Sequence, residues 1–96
     1  MTIRFHDPRA EVGIEMEAYG LGFDLESAAS PMVGFLANGF PDSVPFLEHL
    51  DAALRRLLPS MGSEHWNKGN ASIVAKPEML GEIRSRCQVA IAAWGH

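Results

Sequence analysis

The chain has one cysteine, two lysines and no long apolar run, and each scarcity excludes a class of protein. With Cys87 alone, the 96 residues form no internal disulfide and no thiolate zinc cluster. Lys68 and Lys76 are the only lysines and the net charge is −4, so no basic surface for nucleic acid is expected. No apolar segment approaches the roughly 20 residues that span a bilayer, and no signal-peptide pattern opens the chain. The sequence therefore predicts a cytoplasmic protein with no metal site, no nucleic-acid partner and no membrane partner.

The composition that remains is typical of a globular domain, because 47% of the residues are apolar and only 21% are charged. A domain of this length buries only about 60 to 70% of the surface that its unfolded chain exposes. A short chain this apolar is expected to have a partner surface. We therefore predict a homo-oligomer or a complex with a second subunit.

Residues 1–31 lack clear periodicity and differ from the rest of the chain. They carry six acidic residues against two arginines, which favours a solvated segment over an acidic binding surface. Five residues that interrupt regular structure also fall here, namely Pro8, Gly13, Gly20, Gly22 and Pro31. We predict an irregular arm over 1–31, with a short strand at Ile3 to Phe5, and an α/β unit over 32–96.

Two continuous apolar segments predict strands in that α/β unit. The first is Met32 to Gly39, in which the pair Asn38-Gly39 terminates the strand. The second is Val89 to Trp94. Neither segment alternates apolar with polar residues, which is the pattern of parallel strands covered on both faces. A third strand is expected between them, either at residues 63–67 or at Ser72 to Ala75.

Two helices are predicted between the strands. Apolar residues at steps of three and four indicate a helix from Ser43 to Leu58, with Asp42 or Ser43 as its N-cap. On its polar side, Asp51 and Arg55 have the spacing of a favourable ion pair. A shorter helix begins near Pro77, a tolerated first position for proline, and ends near residue 86. The order of elements predicts a βαβαβ half of a doubly wound, mostly parallel sheet.

In such a sheet, ligands bind outside the carboxyl ends of the strands. Three segments are expected there: Asn38 to Ser43, the stretch around His65 to Lys68, and Gly95-His96. Each has a plain structural alternative, since Asn38-Gly39 is a common turn sequence and His65 and Lys68 suit an exposed loop. The first segment has no glycine-rich nucleotide motif. Cys87 is expected to be a buried, inert thiol, and the remaining histidines, His6 and His49, to lie on the surface.

The order of these segments resembles the UGSC family of bacterial proteins and selenoproteins. The resemblance is carried by two stretches, "VGFLANGFPDSVPFLEHLDAALRRLL" and "KGNASIVAKPEMLGEIRSRCQVAIAAWGH", and by Asp7-Pro8 near the start. Family members have an apolar strand, an NG-x-P-[ND] turn, a leucine-rich helix, a lysine-containing middle segment and a helix leading into a last strand. In the family that last strand is followed by the motif [U/C]-G-S-C-T, where U is selenocysteine.

The resemblance implies a thiol- or selenol-dependent redox-type enzyme. The reactive cysteine or selenocysteine is expected directly after His96, and no other cofactor is implied. The present sequence is then expected to be either the N-terminal part of such a protein, ended at an unread UGA codon, or a deliberately or naturally split half, and to be inactive alone. Around the reactive centre the resemblance implies catalytic roles for Asp42, Lys68 and His96. Substrate-binding roles fall to four further residues: Asn38, Gly39, Ser43 and Gly95.

Two other kinds of function stay open at the level of the sequence. One alternative is a non-catalytic small subunit, which pairs with a partner through its edge strand and apolar face. The other alternative is a small-molecule binder that uses the loops at the strand ends. Whether the 96 residues are themselves an enzyme is not decided by these patterns, and neither is the substrate.

Overall fold

The computed structural model describes residues 2–11, 13–20, 22–25 and 28–94. Within these residues, regular structure begins at Met32 and consists of three strands and two helices in strict alternation. The elements are β1 (Met32–Ala37), α1 (Ser43–Leu57), β2 (Gly62–Asn67), α2 (Pro77–Arg86) and β3 (Val89–Ala93).

The three strands form one open sheet in the order β2-β1-β3, and both strand pairs are parallel. In the centre of the register, Phe35 of β1 lies opposite His65 of β2 and Ile91 of β3. The predicted α/β fold with a βαβαβ order is therefore confirmed. The choice left open for the middle strand is also decided, because residues 62–67 form β2 and Ser72 to Ala75 form no strand.

The core lies between α1 and one face of the sheet. Val33, Phe35 and Ala37 alternate along β1 and are at most 1% exposed, and Leu47 of α1 packs against them. Burial of a side chain the size of Phe35 or Leu47 contributes about 1.5 to 3 kcal/mol each to stability. The predicted apolar stripe of α1 is thus its sheet-facing side, although Leu57 at the end of the helix is 77% exposed.

The opposite face of the sheet carries α2, which packs over β1 and β2. A Cβ atom added at Gly34 would lie 3.0 Å from the Cys87 Sγ atom and 3.1 Å from Trp66 Cζ3, so α2 and Trp66 pack closely over the backbone of β1 here. Two contacts join α2 to β2: the Trp66 indole donates a hydrogen bond to Glu82, and Arg86 pairs with Glu64.

The prediction that Val89 to Trp94 is buried on both faces is wrong for the described residues. Along β3, Val89 and Ile91 pack towards the core and Ala93 is buried, whereas Ala90 and Ala92 are exposed. The reason is the position of α2, which covers β1 and β2 and leaves that face of β3 open. Within the described residues β3 pairs only with β1, so it is an edge strand.

The start of α1 also differs from the prediction. Asp42 occupies the N-cap position in a left-handed conformation, with φ 66°, but its side chain makes no capping hydrogen bond. The Ser43 hydroxyl does not cap the helix either, because it donates to the carbonyl oxygen of Phe40. The turn that enters α1 is instead closed by the backbone, since the Ser43 N–H donates to the same carbonyl.

The arm before β1 contains no helix or strand among its described residues, so the predicted short strand at Ile3 to Phe5 is wrong. Leu25 packs against the core near the end of the arm. The large apolar side chains described between residues 2 and 20 are 78 to 91% exposed, and these are Ile3, Phe5, Ile14, Met16 and Tyr19. In the part of the chain that is described, neither helix has the length and apolar character needed to cross a membrane.

Candidate functional site

The segments that follow the three strands meet at the carboxyl edge of the sheet. The Asn38 N–H donates to the carbonyl oxygen of Ala93 at 2.8 Å, and the Lys68 N–H donates to that of Ala37 at 2.8 Å. The chain runs from β1 to β2 on one side and then crosses to β3 on the other. The crevice between β1 and β3 is therefore the point where the strand order reverses, which is where open α/β sheets bind ligands.

Asn38 connects the two sides of that crevice. Its carboxamide nitrogen donates to the carbonyl oxygen of Trp94, and its carboxamide oxygen accepts from the Phe40 N–H at 3.0 Å. Asn38 also lines a small cavity of about 210 Å³ together with the last two residues of β3 and Trp94, which follows the strand. One side chain thus fixes both the turn into α1 and the backbone that continues past β3.

Gly39 brings the second loop against the first. Its φ of 91° lies in the left-handed region, which favours glycine. A Cβ atom at this position would lie 2.7 Å from the carbonyl carbon of Gly69 and 2.8 Å from the nitrogen of Asn70. The backbones of the two loops can approach this closely only because residue 39 has no side chain.

The remaining predicted site residues are placed as follows. Lys68 is half-buried beside the edge, and its ammonium group donates to the carbonyl oxygen of Ala71 at 3.3 Å. Ser43 is 1% exposed, and its hydroxyl donates a hydrogen bond to the Phe40 carbonyl oxygen. Asp42 is exposed. Among the described residues, no hydrogen bond or ion pair joins Asp42 to Lys68. Gly95 and His96 lie outside the described residues.

A cluster around Asp51 was not predicted as a site. Asp51 lies on α1, is 8% exposed and faces β2, so its assignment to the solvent side of the helix is wrong. Its carboxylate accepts from Arg55 Nε at 2.9 Å, from Ser63 Oγ at 2.8 Å and from His65 Nε2 at 2.7 Å. The predicted pairing of Asp51 with Arg55 is confirmed.

The electrostatics of this cluster favour a charged carboxylate. Burial raises the pKa of Asp51, but hydrogen bonds from His65, Arg55 and Ser63 together outweigh burial and hold the pKa below its ordinary value. The His65 ring stacks on Phe35 with the ring centroids 4.8 Å apart. His65 is therefore a strand residue fixed on two sides, not a loop residue as one alternative had it.

A sequence signal for the cluster did exist. Asp51 is four residues after Leu47 and three before Leu54, so it borders the apolar stripe that packs on the sheet. On β2, Ser63 and His65 are two apart and so point to one face. Without the register of the sheet, nothing showed that the two patterns face each other.

Cys87 is half-buried between α2 and β3. Burial raises the pKa of its thiol, and the nearby carboxylate of Glu64 raises it further against the opposing effect of Arg86. A thiol kept protonated in this way is a poor nucleophile, which is in line with the predicted inert role.

Comparison with known proteins gives one match. No curated protein and no solved structure matches the chain. Separately, the described residues contain no group of three or more His, Cys, Asp or Glu side chains that could hold a metal ion. The model of the UGSC family matches residues 4–96, which is nearly the whole chain and includes every strand and helix described above. The chain belongs to the UGSC family.

Proposed function

We propose that the carboxyl edge between β1 and β3 is half of a thiol- or selenol-dependent redox centre. The observation that carries the proposal is the contact between Asn38 and Trp94, which fixes the backbone leading out of β3. In the resemblance described above, the [U/C]-G-S-C-T motif follows that strand within three residues of Trp94. The chain would thus supply the scaffold and the polar surroundings of the reactive atom.

The chemistry follows from two sulfur-type atoms three positions apart. A selenolate or thiolate attacks an oxidising substrate that contains an S–S or O–O bond. That bond breaks, one half leaves as a thiolate or hydroxide, and the other half stays on the attacking atom. The second thiolate then attacks the same atom and displaces the bound half, which leaves a selenenylsulfide or disulfide and a substrate reduced by two electrons. A second reductant restores the pair. The amide dipoles at the start of a helix after β3 would favour the anionic form of the first atom.

The predicted site residues have different parts in this proposal. Asn38 and Gly39 are positioning residues, because they order the turn and the two loops at the edge. Lys68 is the cation closest in sequence to the end of β2 and is proposed to stabilise an anionic intermediate. Asp42 and His96 are proposed as acid-base groups, and Gly95 is proposed to contact the substrate. Ser43 is buried and is proposed to support the loop without contacting the substrate directly.

The nucleotide sequence after the His96 codon tests the proposal. We expect a UGA codon, or a cysteine codon, followed in frame by Gly-Ser-Cys. Protein made from that longer frame is expected to contain selenium or a reactive thiol, measured by elemental analysis and intact mass. A frame with no Gly-Ser-Cys sequence nearby would contradict the proposal.

A second candidate function is a non-catalytic subunit that assembles through β3. It is favoured by the open edge and uncovered face of β3, together with the exposed apolar side chains of the arm. Light scattering after size-exclusion chromatography tests it. A dimer or larger assembly of the 96-residue chain is expected, and a stable monomer at high concentration would contradict it.

A further inference from the structure

A second cavity lies away from the β1–β3 crevice, between the first half of α1 and the end of β2. It has a volume of about 200 Å³, below the roughly 300 to 1,000 Å³ of sites for drug-sized ligands. Its apolar wall is formed by Ala37, Val44 and Leu47. Its polar lining comes from Glu48 of α1 and from His65 and Asn67 of β2.

The imidazole of His65 is held in one orientation at this cavity. Its Nε2 atom bonds to Asp51, which also accepts from Ser63 and Arg55, so the carboxylate acts only as an acceptor and Nε2 carries hydrogen. In the neutral ring the lone pair is then on Nδ1. No other hydrogen bond to the ring occurs among the described residues, and the side chain is 37% exposed.

The cavity lining includes one carboxylate and two further polar side chains. Glu48 contributes a carboxylate, and the carboxylate of Asp51 behind His65 is already paired with Arg55. The Asn67 carboxamide oxygen accepts from the Gly69 N–H, so that residue has donor hydrogens left. The lining thus presents two acceptors beside an apolar wall, one on Glu48 and, in the neutral form of the ring, one on His65.

We propose that this cavity is a binding site for a small primary amine in its ammonium form, with a short apolar group beside the nitrogen. The ammonium group donates to Glu48 and to His65 Nδ1, and the apolar group lies against Val44 and Leu47. The site is independent of the redox centre proposed above, because it lies on the β2 side of β1 and needs no residue beyond Asn67.

Nuclear magnetic resonance titration of the 96-residue chain tests the proposal with three matched four-carbon probes: butylammonium, butyrate and 1-butanol. Butylammonium is expected to give saturable shifts at the amides of Val44, Leu47 and Asn67. Butyrate and butanol are expected to bind at least about fivefold more weakly, since neither supplies the charge-assisted hydrogen bonds. Equal saturation by all three probes, or none by butylammonium, would overturn the proposal.

A pair of glutamates provides the control. Glu48 and Glu78 are both exposed and each lies in the first two turns of its helix, but only Glu48 lines the cavity. Glu48→Gln is expected to weaken butylammonium binding about fivefold, and Glu78→Gln to leave it unchanged. The ¹⁵N shifts of the His65 ring give an independent check, because the proposal requires hydrogen on Nε2 and a butylammonium-induced change at Nδ1. Equal effects of the two substitutions, or hydrogen on Nδ1, would contradict it.

Discussion

The Asp51 carboxylate and the His65 imidazole lie 2.7 Å apart, joining the middle of α1 to β2. Because β2 pairs with only one other described strand, side-chain contacts to α1 add to the backbone hydrogen bonds that hold it against β1. Asp51 supplies such contacts to two residues of that strand, His65 and Ser63. Hydrogen bonds of the Asp51 cluster thus hold α1 against this edge of the sheet, whereas apolar packing holds α1 against its centre.

Replacement of Asp51 is expected to destabilise the fold. Asp51→Ala removes an acceptor from three donors, and the free energy of unfolding should fall by about 1 to 3 kcal/mol. Urea denaturation measures the change. The matched control is Glu48→Ala, an exposed acid on the same helix, which should change stability by no more than about 0.5 kcal/mol. Equal losses for the two variants would show that the Asp51 contacts contribute nothing.

The same carboxylate predicts a pH dependence at the acidic end. The pKa of Asp51 in the folded state is below its ordinary value of 3.8, so its contribution is fully present above pH 3.8. That contribution is lost as the pH falls through the folded-state pKa. The stability difference between wild type and Asp51→Asn should therefore narrow below pH 3.8, measured as urea midpoints from pH 2.5 to 6. A difference that stays constant over this range would contradict the assignment.

Alanine substitutions at Gly39 and Gly69 distinguish the cost of backbone strain from the cost of steric contact. Both have positive φ, at 91° and 85°, but a Cβ atom meets neighbouring backbone only at Gly39. Gly69→Ala should cost about 1 to 2 kcal/mol from the left-handed conformation alone. Gly39→Ala should cost clearly more, because the loops must also move apart. Thermal denaturation of both variants measures the difference, and equal costs would show that the contact between the loops is unimportant.

Cys87 is expected to react slowly with alkylating reagents. Its raised pKa leaves less thiolate at pH 7 than an ordinary thiol has, and the side chain is half-buried. The rate with iodoacetamide should be below that of glutathione and should rise when the protein is unfolded in urea. In a form that carries the family motif, Cys87→Ser should leave reactivity unchanged. A fast reaction at pH 7 would make Cys87 itself a candidate reactive group.

Much of the fold follows from local patterns in the sequence. The apolar segment of β1 and the spacing of leucines in α1 are strong signals, and Pro59 and Pro77 bound the helices. The middle strand was ambiguous because "GSEHWN" is polar, and its contacts to both helices are largely hydrogen bonds and ion pairs, which no apolar pattern in the sequence announces. The burial of β3 was overestimated because the path of α2 across the sheet is not a local property.

The site was predictable to the extent that topology determines it. Once the strands are parallel, the residues after β1, β2 and β3 share one edge, and so Asn38, Gly39 and Lys68 were expected together. The contact of Asp51 with His65 was not predictable in this way, since it depends on the rotation of α1 over the sheet. The N-cap position of Asp42 was predicted correctly, but the capping hydrogen bond was not formed, because Asp42 is left-handed and the Ser43 hydroxyl donates to the Phe40 carbonyl instead.

The central claim is that Asn38 positions a reactive thiol or selenol beyond β3, and the pH dependence of alkylation tests it most directly. The measurement uses protein whose reading frame continues past His96 into the family motif, and compares Asn38→Ala with Asn70→Ala. Among the residues that the structure describes, the Asn70 side chain hydrogen-bonds only with the Ser72 N–H. We predict that the reactive group has a pKa below the roughly 8.5 of an ordinary thiol. Asn38→Ala is expected to raise this pKa and to slow alkylation, whereas Asn70→Ala is expected to change neither. An ordinary pKa with identical profiles for both variants would contradict the account.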